Sequence, residues 1–386
     1  MGIFRFPVSP KRGKDQRNLF LFLSVAVIVA PIFLSSFSLA SPESLSDTNS
    51  DSITDWADLA VLASHWLDSD CDLYPGWCGF ADMDRDGTVN LADYVLLATN
   101  WQHRSLSLRD SIESPVRLAY GPDEKMYVTD TEHDSLFIYD PNMILRSQLQ
   151  LLEGPLGVAV DDSGNIYVGS KFIKSVEVFD PNGLKINDIG SGLIKMPNDL
   201  ELDDAGNLYV CDSISDLVRV YGPDGTVLST IGQGQLRFPT SIEIATVETE
   251  PNVFTTELYV ADQGHHQVVV FDLQGNLLRS FGSLAYKSMM GSLRWQGRFV
   301  NIQSIVMDDA GYLHALDSSM KKVQILDPDT PPGVHTEIAD YIDSYGVEGG
   351  GPGQLGLPQD IIIRSDDRVY VSDIFNHRVE LLYTIP

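Results

Sequence analysis

Residues Asp82 to Asp93 place oxygen-bearing side chains at positions 1, 3, 5, 9 and 12 of a twelve-residue loop, through Asp82, Asp84, Asp86, Asn90 and Asp93, with Gly87 at position 6. A hard cation such as calcium takes six to eight oxygens, and this spacing lets a tight loop present carboxylates in alternation. The Thr88 carbonyl at position 7 and the Asp93 carboxylate close the shell. Shifted back by 35 residues, the register recurs as Asp47, Asn49, Asp51, Asp55 and Asp58, with the Ile53 carbonyl at position 7. The stretches that follow also match, Asp58-Leu59-Ala60-Val61-Leu62 against Asp93-Tyr94-Val95-Leu96-Leu97. The expectation is two calcium ions in a tandem loop-plus-helix repeat. Ser52 stands at position 6 of the first loop, where a left-handed turn costs a non-glycine residue about 1 to 2 kcal/mol, so the first site should be the weaker.

Elsewhere Ser, His and Asp are scattered without nucleophile motifs, and no glycine-rich phosphate loop follows a strand. The chain carries 26 Lys plus Arg against 54 Asp plus Glu, a formal charge of −28. A surface this acidic repels phosphate backbones, which argues against nucleic acid as a partner. Arg5, Lys11, Arg12, Lys14 and Arg17 precede an apolar run from Leu19 to Leu34, and Ser38-Leu39-Ala40 supplies small residues for cleavage. Residues 1–40 therefore read as a signal peptide, an uncleaved anchor being the other reading. The expectation is a secreted or cell-surface protein with no membrane segment after cleavage. In an oxidising compartment, Cys71 and Cys78 are the local disulfide candidate, and Cys211 reads as buried and inert.

These residues need elements to hold them. Residues 41–104, with both loops each followed directly by a helix, resemble a dockerin, the small domain through which secreted proteins bind cohesin modules on a scaffold. The resemblance implies calcium ligation by both loops and a cohesin-like partner. Loop positions 10 and 11, where the best-known dockerins carry hydroxyls, hold Leu91-Ala92 and Trp56-Ala57 instead. The other reading is calcium that only staples a short core.

Residues 105–386 read as a repeat protein. Short segments of alternating polarity recur between Pro, Asp and Gly clusters, the signal of half-buried antiparallel strands. Tyr127-Val128, Tyr167-Val168, Tyr209-Val210, Tyr259-Val260, His314-Ala315 and Tyr370-Val371 mark six copies. Six copies of four short strands predict a propeller, so the fold class is mainly β with a small α-helical calcium-binding domain before it. In the second copy Gly157 to Asp161 reads as the inner strand. The sixth copy runs out of chain before a fourth strand, and Leu106, Leu108 and Ile112 alternate with polar neighbours in a segment able to supply it. Ser372-Asp373-Ile374-Phe375-Asn376-His377-Arg378-Val379 resembles the signature of NHL repeats, and Ala261 to Val268 is a near match. Family members that bind RNA use a basic face, whereas this region has 19 basic against 41 acidic residues.

Enzymatic six-bladed relatives place metal ligands where inner strands begin. Peptide-amidating lyases, which the Asp262 to Val268 stretch resembles, put zinc-binding histidines directly after the strand-opening proline. Here those slots hold Val116, Leu156, Asn198, Thr240, Gln303 and Gln359, none of which replaces imidazole on zinc. His266 and His377 read as packing or hydrogen-bonding residues. Glu113-Ser114-Pro115-Val116 and Pro197-Asn198-Asp199 resemble segments of gluconolactonase-like propellers, in which carboxylates and asparagines hold a metal that polarises a lactone carbonyl. A channel site would draw on Glu113, Asn198, Asp199, Gln359 and Asp360. The expectation is a binding protein, docked onto its scaffold through calcium, whose propeller takes a carbohydrate or protein ligand on one face. The alternative is a secreted metal-dependent hydrolase of gluconolactonase type or a carbohydrate-active accessory enzyme. Long loops collect binding residues, and the excess length of the late copies is expected mainly between a fourth strand and the next inner strand. Tyr286, Trp295 and Arg298 mark one such loop as a partner face, unless Trp295 and Phe299 merely cap the outer core.

Overall fold

Short alternating segments between turn residues, with no long apolar run among them, set the architecture of the larger part of the chain. The computed structural model describes residues 56–68, 81, 88–94, 112–151, 154–250, 253–286, 293–328, 334–351 and 353–385. The chain divides into two compact units, one including Leu45–Arg104 and the other Ser105–Pro386.

The second unit is mainly β, a six-bladed propeller. Its inner strands are Pro115–Tyr120, Pro155–Val160, Pro197–Leu202, Pro239–Glu250, Ile302–Met307 and Pro358–Ile363. In each blade the following strands pair antiparallel, and the fourth blade adds His335–Thr336, from the connection within the fifth, parallel to its outer strand Leu277–Phe281. The sixth blade has three strands among the described residues, ending with Arg378–Thr384. The core lies between blades. Tyr209, Val218 and Ile231 of the third blade, for example, pack on Ile242, Val260 and Phe271 of the fourth.

Every inner strand opens with a bulge against its neighbour, as between Pro155 and Val158 or between Pro358 and Asp360. Two residues thereby oppose one, which carries the second copy's inner strand back to Pro155 from the expected Gly157. A buried aspartate at the end of the second strand fixes the segment that leads into the inner strand. Asp212 accepts the Lys195 and Met196 N–H groups at 3.1 and 3.0 Å, and Asp373 accepts those of Gly356 and Leu357 at 2.6 and 2.8 Å. Asp130, Asp262 and Asp317 do the same in their blades. The residue before each third strand, Asp134, Lys174, Asp216, His266, Lys321 or His377, has positive φ. Strands one and two therefore meet their loops at one face of the ring, here the upper face, where inner strands begin.

Closure joins the sixth blade to the first. His377 Nδ1 bonds the Glu113 carbonyl, Ser372 Oγ donates to the Val116 carbonyl at 3.0 Å, and buried Ile112 packs with Tyr370, Val379 and Leu381. Leu106 and Leu108 lie outside the described residues. The excess of the fourth copy departs from expectation: it lies in the hairpin of Pro239–Glu250 and Val253–Asp262, strands of 12 and 10 residues that extend at the lower face.

In the first unit a helix spans Trp56–Ser64 and buries Leu59 and Leu62. The chain after it meets the second loop, with Leu67 N–H on the Val89 carbonyl and Val89 N–H on the Asp68 carbonyl. Among the described residues no helix is long and apolar enough to cross a membrane.

Candidate functional site: the propeller channel and its upper face

The six inner strands line the channel, and their repeat sets its chemistry. Counted from the residue that opens each strand, third positions hold Arg117, Gly157, Asp199, Ser241, Ser304 and Asp360. An inner strand is a sheet edge with unpaired N–H groups, and the third-position side chain of one blade satisfies the next. Asp199 accepts the Ile242 N–H at 3.0 Å, Ser241 that of Ile305 at 3.3 Å, Ser304 that of Ile361 at 3.4 Å, and Asp360 that of Leu118 at 2.7 Å. Gly157 interrupts the series. A Cβ there would sit 2.9 Å from the Asp199 backbone, so the third blade approaches too closely for a side chain.

Arg117 completes the layer by reaching across the channel. Its Nε donates to the Asn198 carbonyl at 2.8 Å, one terminal nitrogen donates to Asp360 Oδ1 at 2.8 Å, and the other to the Thr240 carbonyl. Asp199 Oδ1 lies 4.0 Å from Nε. Ser304 Oγ donates to the same Asp360 oxygen at 2.6 Å. One buried guanidinium thus ties the first blade to the third, fourth and sixth, and closes the channel beneath its upper mouth.

Below this layer a cavity of about 320 Å³ runs to the ends of the inner strands. Fifth positions there are Ala119, Ala159, Glu201, Glu243, Val306 and Ile362. Burial pushes the Glu243 carboxyl up to about 8, the nearby Asp199 and Asp360 charges adding to the rise. Burial, with the Glu243 and Asp199 charges, holds Glu201 well above the usual carboxylate range. Asp199 is raised to about 6 by burial, against the pull of Arg117.

The sequence-derived channel residues divide accordingly. Asn198, Asp199 and Asp360 converge on Arg117, and the Asn198 amide also donates to the Thr240 carbonyl at 3.1 Å. Gln359 sits beside them, receiving Gln303 Nε2 at 3.4 Å. Glu113 does not join this group: its carboxylate is exposed, 3.7 Å from His133 Nε2. Arg117, Glu201 and Glu243 were missed. Their signal was present in the repeat, as charged residues at the third and fifth positions of otherwise apolar or small inner-strand columns.

Of the two readings of the late loop, Trp295 follows the capping one. Trp295 is buried with Ala285 and Met320 and stacks edge-on against Tyr341 at 5.8 Å, so it caps the outer core between blades. Arg298 bonds Ser283 Oγ and its carbonyl receives Gln324 Nε2, while Tyr286 alone of the three is exposed. Other exposed apolar side chains occupy the upper face. Phe172 and Ile173, Ile214, and Phe375 lie on the loops after the second strands of the second, third and sixth blades, and Phe238 and Leu357 directly precede inner strands. His266 and His377 spend their Nδ1 atoms on the Val300 and Glu113 carbonyls of the next blade.

In the first unit, Asn90 Oδ1 accepts the Ala92 N–H at 2.8 Å and buried Asp93 accepts the Asn90 N–H at 2.7 Å, a reciprocal helix cap. Asn90 also donates its amide to the Thr88 carbonyl at 3.3 Å. Asp58 lies in the Trp56–Ser64 helix. Asp47, Asn49, Asp51, Ile53, Asp55, Asp82, Asp84, Asp86, Cys71 and Cys78 lie outside the described residues. Cys211 is buried and free, and burial pushes its thiol up.

No family model matches the chain, and no curated protein matches it. Solved structures share its fold. A gluconolactonase from Xanthomonas campestris aligns at 14% identity over 72% of this chain and 87% of its own, with a TM-score of 0.52. Hydrazine synthase of Kuenenia stuttgartiensis aligns at 14% over 72% and 97%, and virginiamycin B lyase from Staphylococcus aureus at 9% over 72% and 98%, each with a TM-score of 0.49. At these identities the likeness is one of propeller architecture, which hosts unrelated functions.

Proposed function

We propose that this is an exported binding protein whose propeller holds a protein partner on its upper face, and whose first unit docks by calcium onto a cohesin-like scaffold. The observation that carries the reading is the apolar display on that face: Phe172 is 62% and Phe375 71% exposed, with Ile173 and Ile214 between 43% and 53%. Large side chains left in water on loops fixed by a rigid scaffold mark an interaction surface. The channel mouth on the same side is committed to structure. A lactonase of the metal-polarising kind would gather oxygens around a cation there, whereas the Arg117 guanidinium fills the layer and is paired with Asp360. Calcium, when bound in the duplicated loops, would supply the charge that holds carboxylates such as Asp82, Asp84, Asp86 and Asp93 together, and Asn90 and Asp93 already cap the following helix.

The test is capture from a secretome with the full chain, in calcium and in EDTA, beside Phe172→Ser/Phe375→Ser. We expect the double variant to melt with the parent and to lose the partner held by the propeller, while the scaffold partner is lost only in EDTA. Equal capture by the variant would overturn the upper-face reading, as would turnover of a lactone by the parent that Asp360→Asn abolishes.

A further inference from the structure

We propose that the lower half of the propeller channel binds a small organic cation, an alkylammonium group on an aliphatic stem. The site is the cavity beneath Arg117, and it is independent of the upper face. Its volume of about 320 Å³ falls at the small end of ligand pockets. Ala119, Ala159, Val160, Val306 and Ile362 supply hydrocarbon along its flanks, while Glu201 and Glu243 enter near one another from the third and fourth blades. Asp199 and Asp360 line its upper end, and among the described residues no Lys, Arg or His lines it. The neighbouring cation, Arg117, is spent on Asp360 and on the Asn198 and Thr240 carbonyls.

Among the described residues no cationic side chain faces the Glu201 and Glu243 carboxyls in the cavity, and an ammonium between them would supply the charge that favours their ionised forms. Glu201 Oε2 receives the Leu202 N–H and Glu243 Oε1 the Met307 N–H, both at a long 3.3 Å, so each keeps acceptor capacity. An ammonium offers three donors to those oxygens, and its stem removes methyl-lined surface from water. A metal ion fits less well, because among the described residues no three His, Cys, Asp or Glu side chains converge on one point to hold it. The strand that carries Glu243 continues into the long lower hairpin, whose exposed Val253 and Phe254 extend apolar surface on the face where the stem would leave.

Titration calorimetry of the full chain with hexylammonium chloride at pH 9, above the raised Glu243 value of about 8, with 1-hexanol and hexanoate as controls, tests the assignment. We expect saturable binding of the amine alone, weakening at least tenfold at pH 5, where Glu201 and Glu243 hold their protons, Asp199 above them gains one as well, and the Arg117 guanidinium stays hydrogen-bonded to Asp360. Glu201→Gln/Glu243→Gln should weaken binding at least tenfold, and Ala159→Met, which fills the cavity without changing charge, should do the same. Absence of amine binding by the parent, equal binding of hexanol, or undiminished affinity in both variants would overturn the proposal. None of these results bears on capture by the upper face.

Discussion

Arg117 shows how a single side chain can be committed to architecture across the channel of a propeller. A buried charge persists only when paired and hydrogen-bonded, and Arg117 meets that condition through three blades. Arg117→Met is expected to lower unfolding free energy by about 3 to 5 kcal/mol, because it strands Asp360 without its partner. Denaturant unfolding checks this, and Arg117→Met/Asp360→Asn should recover part of the loss. Glu243 acts with the opposite sign. Its carboxyl is raised in the folded protein to about 8, from an ordinary value of 4.5. The folded state therefore binds the proton more tightly, so this group's contribution is fully present below pH 4.5 and is lost as pH rises towards 8. Melting curves between pH 5 and 8 should show a shallower decline for Glu243→Gln than for the parent, and parallel curves would refute the assignment.

At the scale of elements, the blade is held by repeated polar contacts as much as by its core. In five of the six blades an aspartate ending the second strand fixes where the inner strand begins, and third-position side chains cap the next blade's edge. Blade six relies on the segment before blade one. Ile112 is buried against Tyr370, Val379 and Leu381, so Ile112→Ala should cost about 2 to 5 kcal/mol by cavity formation. A chain beginning at Glu113 after its signal sequence should melt lower still, since it also loses residues 105–111, the expected fourth strand. Equal melting temperatures would show that closure rests on blade contacts alone.

For the whole molecule, export, calcium and scaffold docking form one proposal resting on the duplicated loops. Ligand spacing for two ions implies that metal binding adds folding free energy to the first unit. Circular dichroism of the full chain should gain helical signal on passing from EDTA to calcium, with the propeller's β signal unchanged. Asp82→Ala/Asp93→Ala should remove most of that gain, and a spectrum indifferent to calcium would sink the proposal.

The alternating strands, the six Tyr-Val or equivalent pairs and the Asp-Gly turns were enough to determine a six-bladed ring, because period-2 polarity and turn chemistry are local properties of the chain. Asn198, Asp199 and Asp360 were legible as channel residues for the same reason: each follows a strand-opening proline. Which groups meet across the channel was decided only in three dimensions. Arg117 and Asp360 lie 243 residues apart and touch because the ring brings the first and last blades together. Glu113 matches a motif yet faces solvent, since the bulge and the Asp130 anchor turn its backbone, not its carboxylate, towards the blade. Trp295 could be read in sequence as a partner anchor or as a cap on the outer core, and it is buried because Ala285, Met320 and Tyr341 converge on it from other loops and strands. Burial is a property of what surrounds a side chain, and in a closed ring those surroundings come from distant copies of the repeat.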